Sequence, residues 1–143
     1  MIKKGFSIFL ILCLIGCATK RYSTEFKPLY EILTQQEDGG ATIRFFEILT
    51  EDKEIKMLQN DALLKNKITA EDIKTSNFVI LNMGEKTTPG YTIDIKSVEE
   101  TADKIIIKVR DVEPKIAGVA ENEVFYYPYS ILKVNSKKEI IIQ

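Results

Sequence analysis

Histidine is absent from this chain, and its two cysteines, Cys13 and Cys17, both lie near the amino terminus. The nucleophilic triads and dyads of hydrolases use histidine as their base, so neither a Ser/His/Asp nor a Cys/His arrangement can be built. Zinc sites made of histidine and cysteine are excluded for the same reason. Because no cysteine follows residue 17, the rest of the chain has no internal disulfide and must be stabilised by its apolar core.

Without histidine, acid–base chemistry would depend on carboxylates or lysine. The acidic pairs fall at predicted turns or helix starts, where carboxylates are ordinarily solvated, so we interpret them as surface charge. These pairs are Glu37-Asp38, Glu51-Asp52, Glu71-Asp72 and Glu99-Glu100. Glu121-Asn122-Glu123 lacks the alternating acids of a calcium loop. We therefore expect no enzyme activity, no metal and no cofactor.

The charge of the chain is nearly balanced, with 20 lysines and arginines against 21 aspartates and glutamates. No basic patch stands out along the sequence. Nucleic-acid binding requires a concentrated positive surface, so a nucleic-acid partner is not expected.

The amino terminus has the layout of a secretory signal. Lys3 and Lys4 precede an apolar run from Phe6 to Ile15, which is too short for a membrane-spanning helix. A glycine and then Cys17 close this run, an ending that resembles the bacterial lipobox. In lipoproteins with this motif the cysteine is acylated and becomes the first mature residue. An ordinary signal peptide or an uncleaved anchor is the alternative interpretation.

The lipobox resemblance implies a division of the chain into three parts. We expect a lipoprotein signal peptide over 1–16, a lipidated amino terminus and tether over 17–26, and a single domain over 27–143. The acyl groups on Cys17, palmitate among them, would hold the protein at the cell membrane or outer membrane, with the domain outside the cytoplasm. Two acyl chains on one cysteine suffice for stable anchoring.

The pattern beyond residue 26 predicts an α+β fold in which β structure dominates. We expect strands at 28–33, 42–49, 78–83 and 140–142, and a hairpin of two strands around a turn at 99–104. Thr50 is predicted to cap one main helix over 51–64, and 69–72 to form a single helical turn. A long strand over 125–134 contains Pro128, so it must be broken, bulged or at an edge. The antiparallel sheet is expected to form a sandwich-like or partly open barrel arrangement.

The segment 84–91 contains residues that restrict the backbone. Pro89 fixes its own φ and favours extended geometry at Thr88, and Gly90 can adopt positive φ, which suits a type II turn. One interpretation is a structural turn with Tyr91 packed over the core. The other is a preorganised loop that binds a partner. The candidate loop residues are Thr87, Thr88, Pro89, Gly90 and Tyr91.

Several marks occur in a fixed order between residues 77 and 134. An apolar strand is followed by Gly84-Glu85, the Thr-Pro-Gly-Tyr turn, a hairpin, Pro114, and a last strand with Pro128-Tyr129. In this order they resemble the C-terminal domain of the protease complex subunit PrcB family. Two departures stand out: proline replaces the first glycine of the family's turn, and the helix lacks the family's tryptophan. Met57 or Leu58 would have to fill that space.

The family resemblance implies a lipid-anchored accessory or binding protein of the cell envelope, with a surface protease as its protein partner. None of the motif residues is catalytic, so the resemblance implies no enzyme. The expected contact surface is the 84–91 loop together with the aromatic residues Phe125, Tyr126, Tyr127 and Tyr129. Strand alternation requires half of these aromatic side chains to face inward.

Two other functions remain open. The Thr-Thr-Pro-Gly-Tyr sequence is similar to part of the binding loop of chagasin-type inhibitors of cysteine peptidases, which would make 87–91 a peptidase-inhibiting loop. The chain lacks the Asn-Pro and Arg-Pro sequences that accompany that loop in the inhibitors. A purely structural envelope lipoprotein is the other alternative.

Overall fold

A computed structural model describes residues 26–115 and 124–143. Over these ranges the chain forms seven strands and two helices: β1 (Tyr30–Gln36), β2 (Phe45–Leu49), α1 (Asp52–Gln59), α2 (Ala70–Thr75), β3 (Asn77–Asn82), β4 (Thr92–Glu100), β5 (Lys104–Val112), β6 (Tyr129–Val134) and β7 (Glu139–Ile142). The predicted signal peptide, Cys17, the tether up to residue 25 and Glu121-Asn122-Glu123 lie outside the described residues. Within the described ranges, neither helix is long and apolar enough to cross a membrane.

The strands form two sheets. Sheet 1 is antiparallel with the order β1-β6-β3-β2, and sheet 2 has the order β4-β5-β7. The predicted hairpin is present as β4 and β5, and β7 pairs with β5 in parallel. The β-dominant α+β prediction is confirmed, and the sandwich-like alternative is the arrangement found, because two separate sheets pack together and the described strands close no barrel.

Successive residues of β3 point into two different apolar cores. Val79 and Leu81 face sheet 2 and belong to an inter-sheet core, whereas Phe78 faces the helices. The inter-sheet core also contains Met83, Ile93, Ile105, Ile107, Leu132, Val134 and Ile140. The helix-side core also contains Leu33, Leu49, Ile55, Leu64, Ile68, Ile73 and Ile131. Sheet 1 is therefore the middle of three layers, which explains why 78–83 is apolar at nearly every position.

The main helix is shorter than the sequence indicates. The prediction of a helix over 51–64 capped by Thr50 is wrong, since α1 ends at Gln59 and its N-cap is Glu51. The Glu54 carboxylate accepts hydrogen bonds from the backbone N–H of Glu51 and of Thr50, at 3.2 and 3.3 Å. After the helix, the Asp61 carboxylate accepts the N–H of Leu63 at 2.7 Å. This local bond competes with helix continuation and redirects residues 60–67 into turns.

The carboxy-terminal strand begins later than expected. Of the three outcomes that the proline left open, the break is the one observed, because β6 starts at Tyr129, directly after Pro128. Proline has no backbone N–H, but Pro128 lies outside the strand, so no hydrogen bond of the sheet is lost there. The Pro128 carbonyl accepts the N–H of Met83 at 2.9 Å. From Tyr129 onward β6 is an interior strand between β1 and β3. At the other end of the chain, β1 runs over Tyr30–Gln36 instead of 28–33, with a bulge near Leu33.

Helix α2 is attached to sheet 1 through a buried carboxylate. Asp72 accepts the backbone N–H of Thr69 at 2.9 Å and its hydroxyl at 2.7 Å. Lys133 on β6, whose side chain is only 11% exposed, lies 3.5 Å from Asp72 and 3.0 Å from Glu31. Burial raises the pKa of Asp72, but the Thr69 hydrogen bonds and the Lys133 charge outweigh burial and hold this pKa below its usual value.

Truncation of Phe78 tests whether β3 organises the helix-side core. Phe78 is completely buried, so Phe78→Ala removes its transfer energy and leaves a cavity that the surrounding strands cannot close. We expect the free energy of unfolding of the full chain to fall by about 3–5 kcal/mol in urea denaturation. Ile43→Ala, at a side chain that is 76% exposed, is the control and should change it by less than about 0.5 kcal/mol. Equal effects of the two substitutions would contradict this role.

Asp72→Asn should destabilise the full chain in a pH-dependent way. Because the folded pKa of Asp72 is lowered, its stabilisation is complete above the unfolded pKa of about 4 and is lost as the pH falls through the folded value. The difference in free energy of unfolding between wild type and Asp72→Asn should therefore be constant near neutral pH and shrink below about pH 4. Asp103→Asn, at a side chain that is 74% exposed, is the control. A wild-type advantage that grows in acid would contradict the assignment.

Candidate functional site

The two ends of sheet 1 are occupied by different parts of the chain. The described chain enters beside Tyr30, which lies opposite Val134 on β6, and Val134 in turn lies opposite Asn77 on β3. At the other end Asn82 lies opposite Tyr129. The six residues of β3 separate these ends by roughly 15–20 Å at about 3.4 Å per residue. We call the second end, formed by 39–44, 84–91 and 124–128, the distal end.

The first half of the 84–91 loop is fixed to both other segments of the distal end. The backbone N–H of Glu85 donates to the carbonyl of Thr42 at 2.9 Å. Lys86 and Tyr126 form an isolated antiparallel bridge, in which each N–H donates to the other's carbonyl at 2.8 Å. Loop segments that are far apart in sequence are thus held in place by backbone hydrogen bonds rather than by side chains alone.

Two aromatic side chains continue this connection. The Tyr127 hydroxyl donates to the Glu85 carboxylate at 3.1 Å, and this hydrogen bond raises the pKa of Tyr127 because ionisation would bring two negative charges together. The ammonium of Lys86 lies 5.1 Å from the centre of the Tyr91 ring, within the range of a cation–π interaction. The family-motif residue Glu85 and the candidate loop residue Tyr91 therefore both contact side chains of the same site.

The tip of the loop is more exposed than its base. Thr87 and Pro89 are exposed, Thr88 is half-buried, and half-buried Tyr91 packs on the inter-sheet core. Gly90 has a φ of +94°, the positive value that a type II turn requires. Tyr91 is thus packed as the structural interpretation expects, while the tip presents a fixed surface to solvent, so both interpretations retain a physical basis.

Two family-motif residues, Gly84 and Pro114, occupy close-contact positions. Gly84 has a φ of +75°, and a Cβ there would lie 2.9 Å from the backbone nitrogen of Arg44 and 3.0 Å from the carbonyl oxygen of Thr42. A Cβ at Gly90 would meet mainly the Pro114 side chain, at 3.1 Å. Glycine is required at residue 84 by both conformation and space.

The predicted aromatic group is divided between surface and interior. Phe125 is exposed, Tyr126 and Tyr127 are half-buried, and Tyr129 packs on the helix-side core. Burial raises the pKa of Tyr129, with a smaller contribution from the charge of Asp61. Tyr129 therefore faces a different side of sheet 1 from the 84–91 loop, and the structure does not unite all four aromatic residues in one patch.

A buried amide that the sequence did not single out organises the distal end. Asn82, at the end of β3, is almost completely buried; its amide nitrogen donates to the carbonyls of Ala41 and Ile43 at 2.9 and 2.7 Å. Its amide oxygen accepts the N–H of Ala41 at 2.9 Å. Gly40 leaves room for this side chain and donates its N–H to the Tyr127 carbonyl at 2.9 Å. An asparagine at the end of an apolar strand is only a weak sequence signal for this role, because its three backbone partners lie about forty residues earlier in the chain.

An ion pair joins the two sheets beside the distal end. The Arg44 guanidinium makes two hydrogen bonds to the Asp111 carboxylate, at 2.8 and 3.0 Å, and lies 4.9 Å from the centre of the Phe46 ring. Both charged side chains are partly exposed, so the pair adds only modest stability. Its bidentate geometry fixes the orientation of the 39–44 segment relative to sheet 2.

The distal end presents a surface that backbone hydrogen bonds hold in place. Within 26–115 and 124–143, no group of three or more acidic or cysteine side chains is placed to hold a metal ion. What the distal end presents is exposed backbone, aromatic rings and a loop that folding has already ordered. Such a surface can bind a protein with little further loss of conformational entropy.

Comparison with known families places most of this site in a recognised sequence segment. Residues 77–135 match the family described as PrcB C-terminal, which confirms the resemblance noted in the sequence. The matched segment is less than half of the chain; it begins with β3, ends just after β6 and contains the 84–91 and 124–128 segments. Comparisons with curated proteins and with solved structures gave no match.

Substitutions at Gly84 and Gly90 should show whether each glycine is required for its positive φ or for the lack of space for a side chain. Asparagine tolerates positive φ better than alanine, so Gly90→Asn should recover most of the stability that Gly90→Ala loses. At Gly84 the neighbouring atoms are backbone and cannot move aside, so both Gly84→Ala and Gly84→Asn should lower the free energy of unfolding by about 1–3 kcal/mol. Urea denaturation measures all four variants. Full recovery by Gly84→Asn would show that close contact is not the constraint.

Proposed function

We propose that this protein is a lipid-anchored accessory subunit of the cell envelope that binds a surface protease through its distal end. The observation that carries the proposal is the match of residues 77–135 to the PrcB C-terminal family, which suggests an accessory role associated with a protease complex. Two of the three segments of the distal end lie within this match. The matched sequence therefore includes the 84–91 loop and the 124–128 segment of the proposed binding surface.

The end of sheet 1 at which the chain enters supports binding through the distal end. The described chain begins at residue 26 and enters β1 at the end of sheet 1 opposite the distal end. With Cys17 acylated, a tether over 17–26 would extend at most roughly 35 Å from the bilayer. The 84–91 loop would then lie at the end of sheet 1 that is remote from the tether, accessible to proteins at the cell surface.

The composition supports a binding role instead of a catalytic one. The chain has no histidine, and the distal end combines aromatic rings with backbone-fixed loops. Aromatic anchors in a preordered surface supply much of the energy in protein–protein interfaces. An accessory subunit of this kind would hold or stabilise its partner without taking part in peptide-bond cleavage.

Tyr91→Ala should weaken capture of a protease by the anchored protein. The full chain, tagged at its carboxy terminus, is purified under mild cross-linking from membranes of the cells that produce it, and bound proteins are identified by mass spectrometry. We expect one secreted or surface protease to be enriched, with recovery lowered roughly tenfold by Tyr91→Ala, since the loss of a central aromatic anchor is worth about 1–2 kcal/mol.

Tyr30→Ala is the matched control, because Tyr30 is also a half-buried tyrosine packed against the inter-sheet core but lies at the opposite end of sheet 1. Tyr30→Ala should leave the recovery of the protease unchanged relative to wild type when both samples have the same folded fraction. Capture of no reproducible protein would favour a structural envelope role. Inhibition of a papain-type cysteine peptidase by the full chain, lost in Tyr91→Ala, would favour the peptidase-inhibitor alternative.

A further inference from the structure

An open groove runs along the helix side of sheet 1, next to the distal end. One part of it, about 330 Å³, has Phe45, Ile80, Tyr129 and Ile131 among its walls and reaches Gly39, Gly40 and Asn82 of the distal end. A second part, about 320 Å³, lies between β2 and α1. Asp61 and Ile80 line both parts, so the two parts adjoin, and we refer to them together as the groove.

The groove combines an apolar floor with negative charge. Phe45 and Met57 line it and are 37% and 64% exposed, more than apolar side chains of a closed core. Three acidic residues also line it: Glu47, and Glu54 and Asp61, whose carboxylates also accept backbone N–H groups at the two ends of α1. Among the described residues that line either part, none is lysine or arginine. The groove is therefore complementary to a segment that carries both apolar and basic side chains.

Strand β2 gives the groove a backbone edge. It is the last strand of sheet 1, paired with β3 on one side and with no described strand on the other. Phe45, Glu47 and Leu49 occupy alternate positions of β2, and all three line the groove. An extended segment that paired with this edge would place every second side chain beside Phe45, Glu47 and Leu49, at the β2 side of the groove.

We infer that the groove binds an extended peptide segment, added to sheet 1 as a strand beside β2, that carries basic and apolar side chains at every second position, on the face toward the groove. This inference rests on the proposed binding function and gives the chemistry of the partner segment. The five residues of β2 allow pairing over roughly 15–17 Å. The added backbone would supply hydrogen bonds, while the side chains at every second position would supply specificity through Phe45 and Glu47 of β2 and the negative charge of the groove.

The negative charge of the groove favours this peptide segment over a second copy of the chain or an anionic membrane surface. A second copy paired through its own β2 would bring its Glu47 toward the same acidic groove, and like charges oppose that contact. An anionic membrane surface would be repelled for the same reason. Basic side chains alone would leave the exposed ring of Phe45 on β2 uncovered.

Fluorescence anisotropy with a defined peptide tests the inference. The probe is a short labelled peptide in which every second residue is serine and the residues between are lysine and leucine, so that lysine and leucine share one face of the strand. It is titrated with the full chain in mild detergent. We expect saturable binding that weakens with salt, and an affinity roughly tenfold lower when glutamate replaces the lysines. Methylation of the backbone nitrogens that would face β2 should abolish binding, because it removes the donors of the added strand. Equal binding of the methylated peptide would overturn strand addition.

Charge reversal in the protein provides the matched comparison. Glu47→Lys should lower peptide affinity roughly tenfold, whereas Glu139→Lys, the same change at an exposed residue of β7, should leave it unchanged. Thermal unfolding of both variants verifies that each is folded. No binding by the wild type, or equal loss in the two variants, would overturn the inference.

Protease capture separates this inference from the proposed function. Capture lowered by both Tyr91→Ala and Glu47→Lys supports both. Capture lowered by Tyr91→Ala but unchanged by Glu47→Lys would overturn the groove and leave the accessory function standing. Peptide binding with the expected Glu47 dependence, but with no protease captured, would overturn the accessory function and leave the groove as a binding site for a different basic segment.

Discussion

Burial of sheet 1 on both faces is the constraint on which the rest of this structure depends. Strand β3 sends Val79 and Leu81 into the inter-sheet core and Phe78 into the helix-side core, and these three side chains are completely buried. With no disulfide to stabilise it, the domain depends on this double burial. The helices on one side and sheet 2 on the other can hold their positions only because sheet 1 lies between them.

Because β3 is buried on both faces, the polar groups at its end must find hydrogen-bond partners within the protein. At Asn82 the backbone leaves the sandwich, and a buried amide satisfies three backbone groups of the 39–43 turn. An unsatisfied polar group there would be strongly unfavourable, so the turn and the strand end must form together. The 84–91 loop begins two residues later, and its fixed geometry follows from this arrangement and not from its own proline and glycine alone.

The groove and the distal end adjoin, and both result from the three-layer arrangement around sheet 1. The short α1 helix and the turns after it cover only part of the helix side of sheet 1, which leaves Phe45, Ile80 and Tyr129 beside open space. A longer helix over 51–64 would follow a different path across this face. Asp61, which redirects the chain after α1, thus also forms a wall of the groove.

The sequence by itself determined the parts of this protein that depend on local pattern. Alternating or continuous apolar runs predicted the β-dominant fold and the β4–β5 hairpin, and Pro-Gly predicted the positive φ at Gly90. The marks from Gly84 to Tyr129 were sufficient to identify the PrcB C-terminal segment. Each of these features rests on side-chain periodicity or backbone geometry within a few residues, which a sequence displays directly.

Only the tertiary structure decided which distant segments meet. The end of α1 depends on competition between helix continuation and the Asp61–Leu63 bond, and the Lys86–Tyr126 bridge joins residues forty positions apart. Asn82 resembles any polar residue after a strand until its three backbone partners are in place. Likewise Glu47, Glu54 and Asp61 are ordinary surface carboxylates in the sequence. They become one acidic groove because sheet order places β2 at an edge beside α1, and non-local packing sets that order.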